Sequence, residues 1–174
     1  GLGLGGAIVL TAALCVIPGC STLAYYAQSV NGHLDLVESA RPVADWLADS
    51  QTDAELRQRL VLSQQIRDYA VSELGLPDNP SYRRYADLKR SSAVWNVAAA
   101  PELSLTLETW CFPVVGCVSY RGYFDRADAE AYAAQLRVRA LEVSVYGVPA
   151  YSTLGKLPFA AFADPLLNTF IAYP

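Results

Sequence analysis

The 174-residue sequence contains no methionine and a single histidine, His33. Without a methionine it has no start residue, so we expect the natural chain to begin upstream and this sequence to be a fragment. One histidine, together with Cys111 and Cys117, does not supply the four ligands of a zinc site. Because His33 falls on an apolar helical stripe, a hydrogen-bonded packing role is favoured over catalysis.

The chain also lacks an excess of positive charge and a long hydrophobic run. Its 13 basic and 17 acidic residues give a net charge of −4, which provides no basic surface for nucleic acid, and we expect no such partner. No apolar run reaches the ~20 residues that a transmembrane helix needs. The run at residues 7–17 is apolar except for Thr11, and Pro18 and Gly19 end it.

That apolar run leads through a small residue to Cys20, which is how a bacterial lipoprotein signal ends. We therefore predict that residues 1–19 are a signal peptide, that cleavage precedes Cys20, and that its thiol carries the lipid. The alternative is a plain buried or membrane helix. It is disfavoured because no charged residue precedes Asp35, so the segment has no amphipathic face. Ser21 in place of Asp favours the outer membrane of a bacterial envelope, with the domain facing the periplasm.

Cys111 and Cys117 flank a short loop between two β-like runs. Outside the cytoplasm an even pair of cysteines is more often a disulfide than two buried free thiols, which is the alternative. The sequence therefore predicts a Cys111–Cys117 disulfide.

Residues 20–174 are predicted to form a single α+β domain, with N-terminal helices followed by a small mixed sheet with a crossover helix. Helical spacing of apolar residues predicts a helix over 25–41 whose stripe includes Tyr26 and Val30. The segment Thr52-Asp53-Ala54-Glu55 has the pattern of a capping box and predicts a second helix, with Arg67 on its solvated face.

The second half of the chain has β character. Leu103, Leu105 and Leu107 alternate with polar residues and predict a half-buried strand. Asp125 is expected to cap a helix over 126–140, and residues 142–146 form the next strand. A strand–helix–strand unit favours a right-handed crossover between parallel strands, and for that reason the sheet is predicted to be mixed.

Several segments occur in the order typical of one family. They begin at Gly19-Cys20 and include residues 74–79, 94–97, 110–125, 147–155 and 164–170. Together they resemble a family of predicted bacterial aminopeptidases, zinc-dependent lipoproteins of proteobacteria, over nearly the whole mature chain. Residues 156–163 diverge from that pattern. The family's His-Glu-x-x-His helix is also absent, and the resemblance implies that it lies beyond Pro174, so that this chain itself binds no zinc.

By this interpretation the chain contributes one surface of the substrate-binding site. Strand 118–123 or 142–146 can offer backbone groups to an extended peptide. Tyr120, Arg121 and Tyr123 are the candidate substrate-binding side chains. Arg121 can pair with a carboxylate, and a tyrosine hydroxyl can steady an oxyanion. The alternative for all three is ordinary strand packing and a structural ion pair.

Two functions remain open. The first is an envelope-anchored zinc aminopeptidase that releases N-terminal residues from peptides, present here as its N-terminal portion and inactive alone. The second is a non-enzymatic binding or structural lipoprotein attached to the membrane through Cys20. A His-Glu-x-x-His helix within the next ~30 residues of the parent reading frame would distinguish them.

Overall fold

The computed structural model describes residues 22–112, 116–151 and 165–172, so the predicted signal peptide, Cys20 and residues 156–163 lie outside it. Helix α1 spans residues 22–39. The later elements are β1 (Ala40–Pro42), α2 (Val43–Ala48), α3 (Ala54–Ser72), β2 (Arg84–Ala86), β3 (Val94–Pro101), β4 (Trp110–Phe112), β5 (Gly116–Val118), β6 (Arg121–Tyr123), α4 (Arg126–Val138), β7 (Leu141–Val148) and α5 (Thr169–Ala172). The predicted α+β class is confirmed.

The main sheet has three strands in the order β6-β3-β7. Both partners pair antiparallel with β3, and Val97 lies opposite Arg121 on one side and Val145 on the other. Helix α4 connects β6 to β7, as predicted, and these two strands run parallel to each other. The prediction of a mixed sheet is wrong, because β3 lies between the two parallel strands and leaves only antiparallel neighbours in this sheet.

Helix α4 covers one face of this sheet. The side chain of Asp125 caps it by accepting a hydrogen bond from the Ala127 amide at 2.6 Å, as the sequence predicts. Ala129, Ala133 and Leu136 follow at helical spacing and are fully buried. They pack with β3, β6 and β7 side chains that include Val97, Ala99, Tyr123, Val143 and Val145. This core holds β6 in place, and with it the residues of the candidate site.

Helix α1 packs through a face that only partly matches the prediction. Val30 is 56% exposed, whereas Leu36 is buried and Gly32 lies against Phe124. A Cβ atom on Gly32 would come within 2.2 Å of Phe124 Cγ, so only a glycine allows this approach. The second half of the predicted stripe is confirmed, because Ala40 is buried and Val37 packs beside it, whereas Tyr26 and Val30 are exposed. The first half is wrong because a count of apolar residues does not recognise a glycine as a packing position.

The second helix begins one residue later than a Thr52 capping box requires. Asp53 is the cap, and its carboxylate accepts hydrogen bonds from the amides of Glu55 at 2.9 Å and Leu56 at 3.2 Å. The Thr52 hydroxyl instead donates to the Trp46 carbonyl at 2.6 Å. That bond fastens the turn between α2 and α3.

Arg67 is buried, contrary to the prediction of a solvated face, with only 8% of its surface exposed. Its guanidinium donates to the carbonyls of Ser81 at 3.1 Å and Pro77 at 2.6 Å, and to Asn79 Oδ1 at 3.0 Å. These charge-assisted bonds satisfy the buried cation and tie the segment after α3 to the helix.

Residues 102–109 form a loop, and the predicted strand there is wrong. Leu103 is 96% and Leu105 102% exposed. Alternating leucines form a strand only beside a partner strand, and β3 already has both of its edges filled by β6 and β7. In the part of the chain that the structure describes, no helix is long and apolar enough to cross a membrane.

Candidate functional site

Strands β4 and β5 form a separate antiparallel hairpin closed by a disulfide. Cys111 lies opposite Cys117 in the register, and their sulfur atoms are bonded, which confirms the predicted bridge. The neighbouring residues Trp110 and Phe112 belong to the same short strand. The bridge therefore fixes the hairpin that carries these two aromatic side chains.

The guanidinium of Arg121 lies among the aromatic rings of three tyrosines, which belong to α1, β6 and α4. Its central carbon is 3.8 Å from the ring centroid of Tyr25, 4.4 Å from that of Tyr132 and 5.8 Å from that of Tyr123. Such distances allow favourable cation–π contacts with all three rings. We refer to the following six residues as the Arg121 cluster: Tyr25, Trp110, Phe112, Arg121, Tyr123 and Tyr132.

Ring contacts and one hydrogen bond fasten the Arg121 cluster together. Phe112 stacks on Tyr25 with 5.6 Å between the ring centroids. Trp110 Nε1 donates a 2.8 Å hydrogen bond to the Tyr132 hydroxyl. Helix α1, the disulfide hairpin, β6 and α4 thus each contribute a side chain, so the arrangement depends on the complete fold.

Arg121 is exceptional among the basic residues of the described ranges. Every other arginine or lysine there makes at least one hydrogen bond or ion pair. Arg121 makes none in those ranges, and its Nε atom is buried without an acceptor. The side chain as a whole stays half-buried. Its remaining donors can therefore meet an acceptor from outside.

The hydroxyls of Tyr25 and Tyr123 stay protonated at neutral pH. Burial raises the pKa of Tyr123 well above its usual value, and the positive charge of Arg121 opposes that shift only in part. The pKa of Tyr25 is raised for the same reason. These hydroxyls are hydrogen-bond donors. Tyr123 is almost fully buried, so its ring forms part of the inner surface of the site beside Arg121.

The structure brings together two of the three predicted site residues. Arg121 and Tyr123 belong to the cluster, whereas Tyr120 is 45% exposed and touches none of its rings in the described part of the chain. Tyr25 and Tyr132 were missed because both lie in segments predicted to be helices, whereas the substrate contacts were expected on strands. The Tyr25-Tyr26 pair in the sequence was the available hint.

The two proposed strand edges differ in their accessibility. Gln28 of α1 covers the outer edge of β6, since its Nε2 donates to the Gly122 carbonyl at 3.4 Å and its Oε1 accepts from the Phe124 amide at 3.3 Å. Strand β7 has no second strand partner among the residues described. Of the two edges, β7 is the one that can take an added peptide strand.

An open groove of about 540 Å³ lies between α1 and the start of α4. Asp35, Asp125 and Asp128 line it together with Arg90. Arg90 donates to the carbonyl of Phe124 at 3.0 Å and to a second backbone carbonyl, so its charge is held by the fold. Burial lowers the pKa of Arg90 from its usual value. In the described ranges no group of three or more His, Cys, Asp or Glu is arranged to hold a metal ion.

His33 has the packing role that the sequence predicts. Its Nδ1 lies 3.3 Å from the Tyr151 hydroxyl, and the two rings are tilted against each other with 5.9 Å between centroids. Burial raises the pKa of Tyr151 to about 12. This pair joins α1 to the segment that follows β7.

Comparison with known proteins identifies the family. A search of curated proteins finds no match, and neither does a search of solved structures. The family described as "Putative aminopeptidase" matches residues 24–174, a range that covers most of the chain and all of the Arg121 cluster. The chain therefore belongs to this aminopeptidase family.

Proposed function

We propose that this chain is the N-terminal portion of an envelope lipoprotein that uses zinc to release N-terminal residues from peptides. The observation that carries the proposal is the family match over residues 24–174. An aminopeptidase acts on peptides, so peptides are the proposed substrates. The family supports this class of substrate without specifying the side chains that the enzyme prefers.

The chain's own residues do not fit a zinc site. Among the described residues no suitable cluster of ligands exists, and His33 is the one histidine of the whole sequence. In this proposal the zinc ligands lie outside the 174 residues. No catalytic step is assigned to any residue of this chain.

The proposed contribution of the chain is a surface for the substrate. Tyr120, Arg121 and Tyr123 were the side chains suggested by the sequence. The cluster geometry supports Arg121 as the binding group and Tyr123 as a wall. The outer edge of β7 supports a second contact, with the peptide backbone.

Membrane attachment through acylated Cys20 is the remaining part of the proposal. Its support is the apolar run that ends at this cysteine. The Cys111–Cys117 disulfide agrees with it, because disulfides persist in oxidising compartments such as the bacterial periplasm. We place the domain on the periplasmic side of the outer membrane.

The decisive experiment measures release of N-terminal residues from peptides by the full-length protein. We expect release that a chelator abolishes and that added Zn²⁺ restores. We expect no hydrolysis and no stoichiometric zinc from residues 20–174 alone. Hydrolysis by that isolated part would show that the catalytic residues are misplaced here. Release that continues in the presence of a chelator would refute the proposed dependence on zinc.

The anchor has its own test, which is mass spectrometry of the mature N-terminus. We expect an acylated Cys20 as the first residue, and a Cys20→Ser variant that leaves the membrane fraction. An uncleaved bond between Gly19 and Cys20 would refute lipidation.

The second candidate is a non-enzymatic binding lipoprotein. The observation that favours it is the open groove of about 540 Å³ between α1 and the start of α4, which has the volume of a small-molecule site. A full-length protein that releases no N-terminal residues from any peptide tested would support this candidate over the aminopeptidase.

A further inference from the structure

The hydrogen-bonding capacity of Arg121 is unused in the described structure. A guanidinium carries five N–H donors in one plane and no acceptor. The rings of Tyr25 and Tyr132 stabilise its charge, but a ring face does not replace an oxygen acceptor for those in-plane donors. A half-buried cation in this state has its charge partly desolvated and its donors still to be satisfied.

We propose that Arg121 binds a carboxylate of the peptide substrate. The planar fork of a guanidinium matches the two oxygens of a carboxylate, which accept two parallel hydrogen bonds. Arg121 is the one cation of the cluster, so it balances a single negative charge, which is what a carboxylate carries. This inference rests on the proposed action on peptides, since a peptide supplies a carboxylate at its C-terminus or on an acidic side chain.

The arginines of α4 and of its C-terminal end differ from Arg121 in having carboxylate partners. On α4, Arg126 and Arg137 both lie 3.9 Å from a carboxylate oxygen of Glu130. Arg139 is paired with Glu108 at 3.5 Å. Each of these arginines has a carboxylate partner within the protein, whereas Arg121 has no hydrogen-bond or ion-pair partner in the described ranges.

Contacts within the protein hold the side chains of the site in position without a ligand. The disulfide fixes the hairpin, Trp110 is hydrogen-bonded to Tyr132, and the ring of Tyr25 is held between Phe112 and Tyr123. A preorganised site loses little side-chain freedom on binding. The surrounding rings also exclude water, which strengthens an ion pair formed there.

The experiment compares three N-acetylated peptides by calorimetric titration of the full-length protein. The first is N-acetyl-Ala-Ala with a free C-terminal carboxylate, and the second is the same peptide as its C-terminal amide. The third is N-acetyl-Ala-Asp amide, whose carboxylate is on the side chain. We expect the amide of the first pair to bind about tenfold or more weakly than the acid. The third peptide shows which source of carboxylate the site accepts.

Three variants assign the carboxylate to Arg121. We expect Arg121→Gln to bind the acid and the amide equally weakly. Arg121→Lys keeps the charge but lacks the fork, so it should keep only part of the preference. Arg126→Gln is the matched control on the exposed side of α4 and should behave as the wild type. Near-ultraviolet circular dichroism, to which all packed aromatic side chains contribute, verifies that each variant keeps its tertiary structure.

The wild-type protein alone can overturn the proposal, whatever the variants do. Equal binding of all three peptides refutes it, because one of them carries no carboxylate, and so does no binding of any of the three. A preference that persists in folded Arg121→Gln refutes the role of Arg121. Since an aminopeptidase needs a free amine, the acetylated peptides report binding without hydrolysis. Carboxylate binding without any peptidase activity would thus refute the proposed function and leave the site standing.

Discussion

Removal of the disulfide is expected to destabilise the domain by an amount that follows from the length of its loop. The bridged cysteines are six residues apart. The variant Cys111→Ser/Cys117→Ser has neither thiol, so no covalent bond joins the two strands of its hairpin. Loop-closure entropy in the unfolded chain gives about 2 kcal/mol at 25 °C for a loop of this length. For a domain of about 150 residues, that loss lowers the melting temperature by roughly 4–8 °C.

The local effect should be larger than the global one. Strands β4 and β5 pair only with each other, through three residues on each side. A two-stranded hairpin of this size is marginally stable on its own in water. Without the bridge we expect it to open below the global transition, and the stacking of Phe112 on Tyr25 to be lost with it.

Urea denaturation followed by far-ultraviolet circular dichroism measures the global effect. We expect the double variant and the reduced wild type to share a lower midpoint than the oxidised wild type, with a similar slope. In the double variant and in the reduced wild type, the part of the near-ultraviolet signal that comes from the hairpin should be lost before the far-ultraviolet signal changes. Equal midpoints for oxidised wild type and double variant would refute the entropic reasoning. A further shift of the double variant by reductant would show that the reductant acts elsewhere.

Two further predictions use other parts of the fold. Arg67→Ala should lower the free energy of unfolding by about 2–4 kcal/mol, since it leaves the acceptors at Pro77, Asn79 and Ser81 without their donor. The control variant Arg126→Ala should change it by no more than about 0.5 kcal/mol. Equal losses in the two variants, measured by urea denaturation, would contradict this. Stability should fall as pH rises from 10 to 12, because an unfolded tyrosine releases its proton near pH 10 whereas folded Tyr151, with a pKa of about 12, retains it. A Tyr151→Phe variant should show a shallower decline in that range, and an identical decline would exclude Tyr151 as the cause.

The sequence predicts elements well where the determining contacts are local. Asp125 caps α4 through an amide two residues away, and the cysteines pair across one hairpin. The strand at 142–146 follows from β-branched residues bounded by Gly147 and Pro149. These signals involve neighbours in the chain, so a single sequence contains them.

Where the determining partner is distant, the sequence does not show it. Arg67 is buried because backbone carbonyls of a later loop accept its hydrogen bonds, and nothing in the helical pattern marks those carbonyls. Leu103 and Leu105 have the pattern of a strand, but whether β3 has a free edge depends on β6 and β7. The Arg121 cluster joins residues almost a hundred positions apart, between Tyr25 and Arg121.

Because Gln28 occupies backbone groups at the outer edge of β6, another strand can be added to the main sheet only at the opposite edge, along β7. A fibril formed by strand addition requires two free edges on each molecule, and in the described part of this sheet only β7 supplies one. Two copies that meet there must use the same strand, so the contact is two-fold symmetric and closes on itself. Association through this edge therefore stops at a dimer, whose outer strands are both covered. A single glutamine side chain thus restricts strand addition to one edge of this sheet.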